Sequence, residues 1–247
     1  MADNCGYYLY LIFMVGWFLH FGKRIPAWGN LRIDIVLVII IIIMSVISFK
    51  QRDDKEILQE NVWKSLKYLI LYILITSPFV EWPGSVIKYG IENFIKAVIF
   101  FYFTAIFVNN DDKLIKIIIV FICCQIFRVI EPLYLHITQG YWGSQASMWS
   151  NQEMEMMNRL SGSPYDVINP NGLAFIIVFT IPLLHFISYL ATYLKFLYII
   201  SLPLMLYALM LTASRSGMVA LFVVFVGIVK KAKHKIIIIL IAVCAVS

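Results

Sequence analysis

Charge is scarce in this 247-residue chain: 14% of its residues are Asp, Glu, Lys or Arg, against about 25% in an ordinary soluble domain. Hydrophobic residues make up 62%, and the mean hydropathy is +0.86. That balance excludes a water-soluble globule, because surface-to-volume scaling leaves a chain of this size with a large exposed fraction that so few polar residues cannot cover. Cysteine is sparse too. Cys5, Cys123, Cys124 and Cys244 fall inside apolar runs with no CxxC spacing and no histidine cluster beside them, so neither a zinc site nor a disulfide framework is supported. No metal and no other cofactor is expected. Segments of alternating hydrophobicity, the mark of a membrane β-barrel, are missing as well.

What the chain does contain is long apolar runs, at about 5–21, 33–49, 62–80, 94–108, 114–135, 171–190, 194–212 and 215–229. At roughly 20 residues per span, they predict an all-α, polytopic transmembrane bundle of about eight full spans. The apolar segment 236–246 reads as a truncated ninth, so residues 1–247 are expected to form one membrane-embedded domain that is incomplete at its C-terminus. The first run has no basic flank and no A-x-A-like site, and reads as a retained span rather than a cleaved signal. Basic residues outnumber acidic ones by 20 to 14. In a membrane protein that excess marks topology, so the partner it implies is the bilayer and not nucleic acid.

The lysine cluster from Lys230 to Lys235 should lie in the cytoplasm, and alternation from there puts the N-terminus inside and the 136–170 loop outside. On that topology 11 of the 14 lysines face inward, whereas only Arg52 of the six arginines does. Arg24, Arg32, Arg128, Arg159 and Arg215 face outward. The guanidinium fork binds phosphate and carboxylate bidentately and stays charged, which suits an anionic site at the outer surface. Equally, these arginines can anchor to lipid phosphates or pair with Asp34, Glu81, Glu92, Glu131 and Asp166.

The 136–170 loop exceeds the usual connection of about 12 to 15 residues, a length that marks function or disorder. Trp142 and Trp149 are its candidate sugar-stacking residues, although aromatics at this level commonly form an interfacial belt. A segment from Met148 to Leu160 is a possible amphipathic turn. The loop ends in Arg159-Leu160-Ser161-Gly162-Ser163, then Asp166, then Asn169-Pro170-Asn171-Gly172. Asn169 or Asn171 can cap the following helix, with Pro170 in its first turn. Two runs later comes Thr212-Ala213-Ser214-Arg215-Ser216-Gly217, a tight turn whose arginine has little room to wander and whose small neighbours, Ser214 among them, leave space for a bulky head group. His20 and His136 read as interfacial or packing residues.

The pair "RLSGSPYDVINPNGLAF" and "LMLTASRSGMVAL", over about residues 159–221, resembles the O-antigen ligase superfamily, which includes O-antigen ligases, lipid-linked polysaccharide polymerases and protein O-oligosaccharyltransferases. The opening "GKRIPAWGNLRIDIVLV" is more loosely similar to O-glycosylation ligases associated with exosortase systems. The resemblance implies metal-independent transfer of a glycan from undecaprenyl diphosphate to a lipid, polysaccharide or protein acceptor at the periplasmic face of a bacterial inner membrane. By analogy Arg159 and Arg215, with Arg24 and Arg32, would hold the diphosphate, while Asn171, Ser214, Trp142 and Trp149 would shape the site. The family's base, usually a histidine, lies in a second outer loop beyond the Ser-Arg motif. This sequence stops before such a loop, so no catalytic residue is assigned and the chain reads as an N-terminal fragment. A lipid-linked oligosaccharide flippase and an inactive membrane subunit are the alternative readings.

Overall fold

A computed structural model describes residues 2–51, 61–143 and 158–231, all of it helix and connecting turns, with no strand among the described residues. Trp149, the Met148–Leu160 turn as far as residue 157, and the apolar segment 236–246 lie outside them. Each of the eight expected runs is helical. They are α1 (Ala2–Phe18), α4 (Ile33–Gln51), α5 (Asn61–Thr76), α7 (Glu92–Phe107), α8 (Asp111–Gln139), α9 (Pro170–Ile187), α10 (Thr192–Leu211) and α11 (Arg215–Lys231). Short helices α2 (Phe21–Arg24), α3 (Pro26–Asn30) and α6 (Pro83–Ser85), with a π-helical stretch at Val86–Ile91, fill the corners.

The all-α class holds, but the expected number of spans does not. Among the described residues only α9 and α10 are both long and apolar enough to cross a membrane, not about eight helices and a partial ninth. Among the described residues the apolar stretches of α4 and α7, Ile33–Ser48 and Phe94–Phe107, are shorter than the 18 residues of α9, and α1 has 17 residues. α8 has the length, at 29 residues, but Gln125, Arg128 and Glu131 interrupt its second half.

The chain divides into two compact units. In the first, residues 1–14 and 32–114, α1 lays Tyr7, Tyr10 and Phe13 against the phenylalanines of α7. Tyr10 Oη and Thr104 Oγ1 share a hydrogen bond of 2.8 Å, and Lys113 Nζ pairs with Asp3 at 2.6 Å.

The second unit, residues 15–31 and 115–247, carries the motifs. In α8 a stripe of Ile122, Ile126, Val129 and Leu133 recurs every three or four residues, as one buried helix face requires, and all four are buried. The helix ends at Gly140, whose φ of +66° suits glycine's freedom in the left-handed region. Asn169 caps α9 by accepting a 2.7 Å hydrogen bond from Gly172 N–H, with Pro170 in the first turn. Leu173, Ile177, Ile181 and Leu184 of α9 then meet Met205, Ala208 and Leu209 of α10 in one core. α11 comes close to α9 at Gly217: a methyl group there would lie 2.7 Å from Ala174 Cβ, and no larger residue fits without parting the helices.

Candidate functional site

The site grows from the segment 158–169, which has no regular secondary structure yet is fastened at several points. Leu160 N–H donates to the Leu211 carbonyl at 2.9 Å, Ser161 N–H to the Trp142 carbonyl at 2.8 Å, and Gly162 N–H to the Ile168 carbonyl at 2.9 Å. Leu160, Ser161, Ser163 and Asp166 are buried. Each satisfied backbone group removes a penalty that a loop at this depth would otherwise incur.

At one end of the segment Arg159 reaches the turn between α10 and α11. Its Nε donates to the Thr212 carbonyl at 2.8 Å and its Nη2 to Asn171 Oδ1 at 2.8 Å. Both partners are neutral, so the guanidinium charge is not cancelled. The next residue, Ala213, has a φ of +47°, a left-handed backbone that costs an L-residue roughly 1–2 kcal/mol. Ser214 is buried and caps α11, its Oγ accepting from Gly217 N–H at 3.2 Å. Arg215 is the first residue of α11 and is exposed. No carboxylate among the described residues pairs with Arg159 or Arg215. A cation at the positive end of a helix is unfavourable by itself and becomes favourable when an anion joins it.

Between α9 and α11 runs a groove of about 520 Å³, lined by Phe175, Val178, Phe179 and Pro182 on one side and Gly217, Ala220, Val223 and Val224 on the other. Asn171 and Ser216 lie at its polar end. From Asn171 to Pro182 the helix rises roughly 16 Å at about 1.5 Å per residue. The groove is therefore apolar along its length and ends beside two guanidinium groups that no carboxylate among the described residues compensates.

The other arginines of this unit are arranged differently. Arg128 grips Asp166 with both branches, Nε to Oδ2 at 2.6 Å and Nη2 to Oδ1 at 3.0 Å, and its third nitrogen donates to Gln125 Oε1 at 3.0 Å. Arg24 forks onto Glu131, with Nη1 2.6 Å from Oε1 and Nη2 on Oε2, and stacks on Tyr165 at 4.9 Å. Its guanidinium is fully engaged, so of the two bindings open to it on sequence grounds the structure shows the carboxylate one. Arg32 belongs to the first unit, is exposed and has a φ of +48°. Trp142 does not stand free for stacking: it packs on the core and edges onto His136 with ring centroids 4.2 Å apart.

Burial alone would raise the Glu131 carboxyl, but hydrogen bonds from Arg24 and Ser163, with the Arg24 charge, bring it below its usual value. The same partnership raises Arg24. Because the folded value is depressed, the pair contributes stability above the unfolded carboxylate value of about 4.3, and that contribution is lost as pH falls through the folded value. Thermal unfolding between pH 6 and pH 3 should show a steep acid limb, and Glu131→Gln should lower the midpoint at pH 6 while flattening that limb. An unchanged acid slope in the variant would refute the assignment.

No family model, curated protein or solved structure matches the chain. What the site can do must be argued from its own chemistry.

Sequence reasoning missed the two forked ion pairs as a set, although Glu131 and Asp166 stood among the possible partners. Arg128 and Glu131 are three residues apart on α8 and so share a face. The groove left a fainter trace in the small residues Ser216, Gly217 and Ala220.

Proposed function

We propose that this chain transfers a glycan from undecaprenyl diphosphate to a lipid, polysaccharide or protein acceptor, with the diphosphate held by Arg159 and Arg215 and the carrier's chain in the α9–α11 groove. The observation that carries this reading is the apolar groove ending beside two guanidinium groups that have no carboxylate partner among the described residues. An amphiphile with an anionic head satisfies both halves at once. A soluble anion would leave the groove empty, and a neutral lipid would leave the two charges uncompensated. Exposed apolar side chains along α9 and α10, among them Phe175, Phe179, Phe186, Phe196 and Ile199, belong with lipid rather than water. The resemblance of the 159–221 segment to O-antigen ligases supplies the reaction and its setting, the periplasmic face of a bacterial inner membrane.

In such a transfer the sugar C1–O bond breaks and negative charge grows on the departing diphosphate. Two guanidinium groups, that of Arg159 held by Thr212 and Asn171, bind that growing charge better than the ground state, and it is this difference that lowers the barrier. The direct test is binding. With the whole chain in nanodiscs, undecaprenyl diphosphate should bind at least tenfold more weakly to an Arg159→Ala/Arg215→Ala double variant, whereas undecaprenol should bind both proteins alike. Equal affinity of the two proteins for the diphosphate would remove the basis of the reading.

A further inference from the structure

Arg159 and Arg128 are held in the same way and end in opposite electrical states. Each guanidinium is fixed through Nε and Nη2. For Arg128 both bonds go to the carboxylate of Asp166, whereas for Arg159 they go to the Thr212 carbonyl and to Asn171 Oδ1, at 2.8 Å each. Arginine only donates, so the carboxamide of Asn171 must present its oxygen to Arg159, which leaves its two N–H donors over. Among the described residues neither Asn171 Nδ2 nor Arg159 Nη1 has a partner.

Asn171 lines the polar end of the α9–α11 groove, as does Ser216, the chain neighbour of Arg215. Both residues lie in the first turn of a helix, and neither of those turns carries an acid. For stability that is a missed opportunity, because the first turn favours a negative side chain. An aspartate at 171 has the shape of the asparagine and would make the Arg159 contact a third pairing of arginine with carboxylate, like those of Arg24 and Arg128. What the uncharged side chains preserve is the full charge of both arginines, since no carboxylate among the described residues pairs with either.

We infer that Asn171 is a specificity-determining residue: its neutral carboxamide holds Arg159 without spending the charge, and so selects a carrier with two phosphoryl groups over one with a single phosphoryl group. The inference rests on the glycan-transfer reading. A sugar joined to a prenol through a diphosphate carries two negative charges, whereas one joined through a monophosphate carries one. Two unspent guanidinium groups are matched by the first head group, and one of them stays unmatched with the second. Because charge-assisted hydrogen bonds are about twice as strong as neutral ones, the site discriminates by counting charges.

Asn171→Asp tests it, with Asn171→Ala beside it. Undecaprenyl diphosphate-linked glucose and undecaprenyl monophosphate-linked glucose are bound to the whole chain in nanodiscs. Both carry the same prenyl chain and sugar, so the ratio of their affinities reads the head group alone. The wild-type protein should favour the diphosphate by about tenfold or more, and in Asn171→Asp that preference should shrink to about threefold or less. The thermal midpoint of Asn171→Asp should hold or rise through the new pair with Arg159. Asn171→Ala removes the support without adding charge, so it should keep the preference even where both affinities drop. A residue that only shaped the turn would act on both carriers alike and leave the ratio unchanged. An unchanged ratio in Asn171→Asp, no preference in the wild-type protein, or an equal loss of preference in Asn171→Ala would each overturn the inference. Should Asn171→Asp fail to fold, Ser216→Asp puts the same charge next to Arg215, with Ser216→Asn as its neutral control, and an unchanged ratio there is equally fatal. The glycan-transfer reading stands or falls separately, on whether Arg159→Ala/Arg215→Ala weakens binding of the diphosphate-linked carrier in the same nanodiscs.

Discussion

Arg215→Ala should lower glycan transfer by about 10²- to 10³-fold, the usual cost of removing one donor from a developing charge. Arg215 heads α11 beside the polar end of the groove, is exposed and faces no carboxylate among the described residues. Among the described residues nothing consumes its charge, so its removal should leave the thermal midpoint nearly unchanged and act on the reaction alone. Arg215→Lys keeps the charge but loses the planar fork, and it should fall between wild type and alanine. The measurement is initial rate of transfer in proteoliposomes, with stability recorded on the same samples. Undiminished transfer in both variants would sink the assigned role.

The largest effect on stability should come from Asp166→Ala. The carboxylate is 5% exposed and the Arg128 side chain 12% exposed, and the fork between them ties the 158–169 segment to α8. Removing one member of such a buried pair leaves the other charged and unmatched, at a cost of about 3–5 kcal/mol. Replacing both, as Arg128→Met/Asp166→Leu, should recover much of that loss, because two apolar residues of similar volume need no hydration. Denaturant unfolding of the two singles and the double gives the coupling directly. Additive losses would mean that the pair contributes nothing as a pair.

These two arginines show how far the sequence could be read. The outward arginines looked like one class when counted against lysine. In three dimensions Arg24 and Arg128 are matched by carboxylates, whereas among the described residues Arg159 meets neutral groups and Arg215 is exposed. The matching partners are 107 and 38 residues away in the chain, a separation at which spacing carries no signal. Local chemistry was legible: Asn169, with Pro170 behind it, starts α9 where the capping rules put it, and the Thr212–Ser214 turn separates two helices as its small residues suggest. The span count was not, because hydropathy measures how apolar a run is but not where its helix ends. Among the described residues the apolar stretches of α4 and α7 are shorter than α9, while polar side chains cut into the 29 residues of α8.

The α9–α11 groove is not roofed over. Phe175 is 68% exposed, Phe179 48% and Val223 65%, so its flank opens sideways. A carrier whose chain stays in the bilayer would then arrive by diffusion in two dimensions, never passing through water. For such a ligand the quantity that sets occupancy is its mole fraction among the surrounding lipids, and diluting the vesicles at constant lipid composition would leave that occupancy unchanged.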